Sequence, residues 1–140
     1  MPPPATPETV RAEIEHAIIR DEHLEPPTVH QILRDVSRAT AVSIMDIRGI
    51  RRYPHLVGAR HLVFWLSRRH TDKSLPTIGR IVGANGMPKD HTTVLNGIRR
   101  LDRAMTAEGI DLSQVGSVAK EIDTVLGSAW ARVWIMGSRS

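Results

Sequence analysis

Apolar residues recur along most of the chain at intervals of three and four, the spacing of helices that bury one face. The clearest stripe starts just after Thr28 and comprises Val29, Ile32, Leu33 and Val36. No segment shows a convincing alternation of apolar and polar residues, as a half-buried strand would. The pattern therefore predicts an all-α protein.

Residues suited to cap a helix mark where several of these helices begin. Thr6 precedes Pro7, Ser43 is followed three residues later by Asp46, and Ser74 and Asp90 stand before further apolar stripes. The predicted helices begin at Pro7, at Thr28 and after Ser43, and then cover Leu56 to about His70, Leu75 to about Val82 and His91 to about Met105. A last helix is expected over about residues 113–136.

The last predicted helix carries two adjacent apolar rows. One row consists of Val115, Val118, Ile122, Val125, Ala129 and Val133, and the other, the tryptophan ridge, consists of Leu126, Trp130 and Trp134. So wide an apolar arc either packs wholly on its own domain, which we favour, or meets a second copy of the chain in a homodimer.

The length of 140 residues allows one ordinary domain with a real core. We expect a single helical domain over residues 7–136, preceded by a disordered proline-rich tail over 1–6 and followed by a flexible tail over 137–140. The sequence has no cysteine, no run apolar enough to span a membrane and no signal-peptide pattern. A cytoplasmic, nucleoid-associated protein without membrane contact is the natural expectation.

The modest net charge of +4 is unevenly distributed along the chain. From Arg48 to Arg103 there are 12 lysines and arginines against 3 acids, a balance of +9, whereas the remaining 7 basic and 12 acidic residues give −5. A basic charge concentrated in one segment is typical of a surface that binds nucleic-acid phosphates.

Two helices within this basic segment are separated by a loop rich in glycine, and the second helix begins with polar residues. Asp90, His91, Thr92 and Thr93 offer donors, acceptors and methyl groups of the kind that base edges in the major groove require. Arg99 and Arg100 follow on the same helix, where they could reach phosphates. The arrangement predicts a helix-turn-helix that binds double-stranded DNA, although a capped surface helix would begin in the same way.

The segments "SLPTIGRIVG" and "KDHTTVLNGIRRL" resemble the C-terminal DNA-binding domain of the bacterial replication initiator DnaA. The likeness continues upstream through "VSIMDIRGIRR" and "GARHLVFWLSRRHT", and covers about residues 28–105. It implies a Trp-repressor-like helical fold, flanked here by extra N- and C-terminal helices. It also implies binding to short duplex sites of the DnaA-box type, in replication control or transcription regulation.

Particular roles follow from this resemblance. Base contacts in the major groove would fall on Asp90, His91, Thr92 and Thr93, and Arg51 on the basic loop would enter the minor groove. Contacts with the DNA backbone would fall on Arg60 and His61. The charge pattern adds Lys73, Lys89, Arg99 and Arg100 as expected phosphate contacts.

The chain departs from the family pattern at three places. The turn "GANGMPKD" is about four residues longer than usual, Lys89 stands where arginine is common, and "YPH" replaces a more basic stretch. The ATPase module has no counterpart, since no G-x-x-x-x-G-K-[ST] motif occurs, so no nucleotide or other cofactor is expected.

Other functions are less well supported by the sequence. "GANG" matches the loop of KH RNA-binding domains, but the strands of that fold are missing. The histidines are not spaced as metal ligands, and the adjacent Asp90 and His91 would make a poor catalytic pair, so we expect neither a metal site nor an enzyme. The main alternative is a protein-interaction adaptor that kept this fold but lost DNA binding.

Overall fold

The computed structural model describes residues 26–84 and 87–137. The predicted first helix, the N-terminal tail and most of the C-terminal tail lie outside these described residues. The described residues form seven α-helices and no strand. They are α1 (Val29–Thr40), α2 (Ile44–Arg48), α3 (Pro54–His70), α4 (Leu75–Val82), α5 (His91–Ala107), α6 (Val118–Leu126) and α7 (Ala129–Ala131), the last continuing as a π-helix over Arg132–Met136.

The predicted caps that fall within the described residues are present at the helix starts. Thr28 and Gln31 form a reciprocal capping box on α1, and the hydroxyl of Ser43 accepts a hydrogen bond from the backbone N–H of Asp46 at 3.0 Å. Ser74 caps α4 in the same manner. These contacts satisfy backbone donors that the first turn of a helix cannot pair internally, which fixes where each helix begins.

Helix α3 forms the centre of the domain and is covered on most of its surface. Its apolar residues are buried together with those of α1, α4, α5 and α6 in one continuous core. Trp65 is only 2% exposed, and its Nε1–H donates to the carboxylate of Asp102 at 2.7 Å, so it is a core residue. The polar residues Arg60 and Ser67 are buried as well, because neighbouring helices enclose α3 on several sides.

Close backbone packing holds the helix-turn-helix, formed by α4 and α5, against α3. Gly97 lets α5 approach α3, since an added Cβ would lie 2.8 Å from the ring of His61 and 3.0 Å from that of Phe64. Gly79 in α4 packs directly against the turn between α4 and α5. An added Cβ there would collide with the backbone carbonyl of Lys89. The N–H of Lys89 donates to the carbonyl of Gly79 at 2.9 Å, which closes the turn back onto α4.

The prediction of one uninterrupted helix over residues 113–136 is wrong. Helix α6 begins only at Val118 and ends at Leu126, after which Gly127 and Ser128 break the helix, and Ser128 caps the next segment. The break changes the direction in which later residues point. Ala131 and Ile135 are therefore buried, whereas Ala129 and Val133 of the predicted apolar row are exposed. Val115 of the same row is exposed too, and it lies before the first residue of α6.

The tryptophan ridge packs on its own domain. Leu126 and Trp130 are partly buried against the main core. The backbone of Trp134 reaches α3 at Gly58, where an added Cβ would lie 3.0 Å from its carbonyl and 2.8 Å from the side chain of Ile135. The ridge thus contributes to packing within the chain.

Among the described residues, no helix is long and apolar enough to cross a membrane.

A buried carboxylate joins the C-terminal segment to the end of α3. Glu121 accepts hydrogen bonds from Arg69 at 2.8 and 2.9 Å, from the N–H of Gly116 at 3.1 Å, and lies 2.6 Å from Nε2 of His70. Arg69 in turn lies over the ring of Trp65, with its guanidinium carbon 4.8 Å from the centroid. Burial alone would raise the pKa of Glu121, but the hydrogen bonds outweigh it and hold this pKa below its ordinary value.

The Glu121→Gln variant should unfold more easily than the unsubstituted chain at pH 7, by about 2 kcal/mol, because charged hydrogen bonds become neutral ones. A group whose pKa is lowered by folding stabilises the protein above its unfolded pKa of about 4.3 and loses this effect as the pH falls through the folded value. The difference between the two proteins should therefore shrink below pH 4. Urea unfolding from pH 3 to 7 measures it, with exposed Asp123→Asn as control, and a difference independent of pH would contradict the assignment.

Candidate nucleic-acid interface

The tip of α5 is polar and open to solvent. Asp90 caps the helix, its Oδ1 accepting from the N–H of Thr92 at 2.7 Å, and these hydrogen bonds with Thr92 lower the pKa of the Asp90 carboxyl. The side chains of Asp90 and His91 are 67% and 62% exposed, and Thr92 and Thr93 are exposed as well. The four residues predicted to read base edges therefore occur together on one accessible helix end.

The exposed face of α5 continues this tip with polar and basic side chains. Asn96, Arg99, Arg100 and Arg103 are exposed, whereas the opposite face is buried in the core through Val94, Gly97, Ile98, Leu101 and Met105. One side of α5 is thus fixed by packing, and the other is available along the length of the helix. A helix held in this way can enter a major groove without losing its own supporting contacts.

The basic loop lies between α2 and α3. Its two arginines, Arg51 and Arg52, are both exposed, and neither makes a side-chain hydrogen bond within the described residues. The loop backbone is held in place, because the carbonyl of Arg51 accepts a hydrogen bond from Nη2 of Arg60 at 3.1 Å. An arginine on a fixed loop is suited to probe a narrow minor groove.

Arg60 does not occupy the place expected of a phosphate contact. Its side chain points inward, with Nε donating to the carbonyl of Ile47 at 2.7 Å and Nη2 donating to the carbonyl of Asp46 at 3.0 Å as well as to Arg51. The residue is 7% exposed, and burial, followed by the nearby charge of Arg52, lowers its pKa. Arg60 therefore supports the basic loop from within.

His61 is half-buried between α3 and α5. Burial lowers its pKa to about 4, and the charges of Arg100 and Arg60 act in the same direction. The imidazole is therefore neutral at pH 7, and it packs near Phe64 with ring centroids 6.4 Å apart. As a phosphate contact it could offer only a neutral hydrogen bond, not a positive charge.

Lys89 is also directed toward the protein. Its ammonium donates to the carbonyls of Arg48 at 3.2 Å and Gly49 at 2.7 Å, where α2 ends. Burial lowers its pKa to about 8, and the charges of Arg60 and Arg48 contribute. The expected role of Lys89 as a phosphate contact is thus not the role that its position indicates.

The remaining predicted phosphate contacts are accessible. Lys73 is exposed immediately before α4, and Arg99 and Arg100 are exposed on α5. Arg80 on α4 was not among the predicted phosphate contacts, but it is exposed too and donates to the hydroxyl of Thr77. Its position in a short amphipathic helix could have indicated this.

Arg48 was missed altogether as a residue that shapes the site. Its Nε and Nη2 donate to the carbonyl of Gly83 at 2.9 and 2.6 Å, which anchors the start of the longer turn on the end of α2. The two residues are 35 positions apart, and no periodicity links them. Only the tertiary structure could reveal this contact.

In the described part of the chain, no group of three or more histidines, aspartates or glutamates is placed to hold a metal ion.

Comparisons with known proteins agree with this geometry. The sequence model of one protein family, the bacterial DnaA protein helix-turn-helix, matches residues 29–101. The DnaA chromosomal replication initiator of a Picosynechococcus strain is 38% identical over 81 residues, which are 58% of this chain and 17% of that protein. The corresponding proteins of Lacticaseibacillus casei and a Ruegeria strain are 31% and 37% identical, over 71% and 59% of this chain and 21% and 17% of theirs.

This chain thus spans about a fifth of the length of the curated relatives it matches. The matched residues end at 101, within α5, so that α6 and α7 lie beyond the family match. No solved structure matches the chain at a significant level.

Replacing Arg60 by Met should lower the free energy of unfolding by about 3 kcal/mol without DNA present, because it leaves three carbonyls without their charged donor. Arg100→Met removes the same charge from an exposed position and serves as the control, with an expected effect within about 0.5 kcal/mol. Thermal and urea unfolding measure both. Equal stability of the two variants would return Arg60 to the surface role expected from the sequence.

Proposed function

This chain belongs to the bacterial DnaA helix-turn-helix family, and we propose that it binds double-stranded DNA in a sequence-specific manner. The observation that carries the proposal is the exposed polar end of α5, supported from behind by a buried apolar face. His91, Thr92 and Thr93 would contact base edges in the major groove. Asp90 would accept from a cytosine amino group with the part of its carboxylate that the cap leaves free.

Contacts outside the major groove would position this helix end. Arg51 would enter the adjacent minor groove, where a narrow A·T-rich geometry attracts a cation. Lys73, Arg99 and Arg100 would neutralise flanking phosphates, because all three are exposed and free of internal salt bridges within the described residues. Arg60, His61 and Lys89 would act mainly by holding these parts in place.

The biological setting that we propose is control of replication or transcription at DnaA-box-like sites. The matched relatives are named chromosomal replication initiator proteins, and the family match covers the helix-turn-helix. A protein of this kind could occupy initiator sites in the cytoplasm without carrying out a catalytic step.

Selection of bound oligonucleotides from a random duplex pool tests the proposal directly. A defined consensus is expected, and binding to it should weaken with salt. If ~5–7 phosphates are neutralised, log K should fall against log salt with a slope of about −4.5 to −6. An absence of duplex affinity at low salt would instead favour a protein-interaction adaptor with this fold.

Replacing His91 or Thr92 by Ala should cost about 1–3 kcal/mol on the selected site, since a base-edge contact is lost. The loss on random duplex should be much smaller, so the preference for the selected site should decline. Fluorescence anisotropy with the two duplexes measures both. Equal losses on selected and random DNA would remove base reading by this helix end.

The Arg99→Ala variant should weaken binding to all sequences alike, because a phosphate contact carries no sequence information. Its salt slope should be flatter by roughly one, in keeping with one fewer released counterion. Titrations from low to moderate salt on selected and random duplexes provide the measurement. An unchanged slope would show that Arg99 makes no phosphate contact.

A further inference from the structure

We propose that Lys89 and Arg48 tie the basic loop to the recognition helix α5, so that the minor- and major-groove contacts are made at one fixed separation. In this view Lys89 is a positioning residue whose influence on DNA binding passes through Arg51. The inference rests on the proposed function, and it adds a mechanical link between the two DNA-reading parts.

The first half of this link is the Lys89 side chain. Lys89 directly precedes Asp90, the cap of α5, so its backbone moves with the tip of the recognition helix. Its ammonium donates to the carbonyls of Arg48 and Gly49, at 3.2 and 2.7 Å. Gly49 opens the basic loop and is two residues from Arg51. One side chain therefore joins the start of α5 to the start of the loop.

The second half is the Arg48 side chain, which runs in the opposite direction. Its guanidinium donates twice to the carbonyl of Gly83, at the beginning of the turn between α4 and α5. The turn is thus attached to the end of α2 at both of its own ends. It is also attached to α4, because the N–H of Lys89 donates to the carbonyl of Gly79.

The end of α2 favours such cationic partners. The last carbonyls of a helix have no partner within the helix and carry a partial negative charge. Lys89 is only partly exposed, and two of its three N–H bonds are directed at these carbonyls. A lysine in this position has one donor left for DNA. To bind a phosphate with all three donors, Lys89 would have to give up its hydrogen bonds to the carbonyls of Arg48 and Gly49.

A double-mutant cycle between Lys89→Met and Arg51→Ala tests the link. On the selected duplex, Lys89→Met should weaken binding about tenfold, because the loop is no longer held at its working position. Arg51→Ala should cost about tenfold in the unsubstituted chain but only about twofold when Lys89 is already replaced. When Arg51 is already replaced by Ala, Lys89→Met should leave the salt slope unchanged, whereas loss of a phosphate contact by Lys89 itself would flatten it by roughly one more.

Three further variants serve as controls for this experiment. Lys89→Arg should keep most of the affinity, since a guanidinium can also donate to two carbonyls. Lys73→Met removes an exposed lysine next to α4 and should flatten the slope. Lys120→Met removes an exposed lysine on α6 and should change neither quantity. If Lys89→Met fails to fold, Arg48→Met removes the second half of the link, the contact with the carbonyl of Gly83, and should show the same reduced effect of Arg51→Ala.

The possible failures can be told apart. Independent losses for Lys89 and Arg51, or a slope that Lys89→Met flattens further in the Arg51→Ala variant, would overturn the link and make Lys89 an ordinary phosphate contact. Unchanged affinity in Lys89→Met would also overturn it. If the unsubstituted chain binds no duplex, the proposed function itself fails, and this inference fails with it.

Discussion

The carbonyl groups at the end of α2 are the constraint on which the proposed DNA-binding side of the domain depends. Helix α2 has only five residues, and side chains from α3 and from the turn between α4 and α5 meet at its last carbonyls. Arg60 from α3 and Lys89 from the turn supply the donors that these carbonyls and the basic loop require. A buried carbonyl without a partner would cost about 1–3 kcal/mol, so these cations stabilise the fold in addition to contributing positive charge.

This constraint divides the basic residues into two groups with different tasks. Arg48, Arg60 and Lys89 bind backbone carbonyls, and Arg69 binds Glu121, so their charges mostly hold the fold together. The other basic residues of the basic segment are exposed and accessible to a ligand, namely Arg51, Arg52, Arg68, Lys73, Arg80, Arg99, Arg100 and Arg103. A count of charges along the sequence cannot separate the groups, because both types contribute equally to a basic segment.

Much of the fold could be predicted because its signals are local. Thr28, Ser43, Ser74 and Asp90 cap helices through contacts with residues two or three positions away, which a sequence shows directly. The tip of α5 was found for the same reason. The inward direction of Arg60 was missed because helical periodicity assumes one buried face, whereas α3 is covered on several sides. The break at Gly127 and Ser128 had a local signal, but the apolar spacing continued across it and concealed it.

The segment beyond the family match completes the enclosure of α3. Ile135 and the backbone of Trp134 pack against Gly58 near the start of α3, and Glu121 binds Arg69 near its end. The carboxylate of Glu108, just after α5, accepts from the N–H of Ala129 at 2.8 Å, which joins this segment to the recognition helix as well. Since α3 carries both Arg60 and the surface against which Gly97 of α5 packs, its rigidity sets the geometry of the loop and the helix together. The segment beyond the family match therefore stabilises the proposed DNA-binding surface from the opposite side of the core.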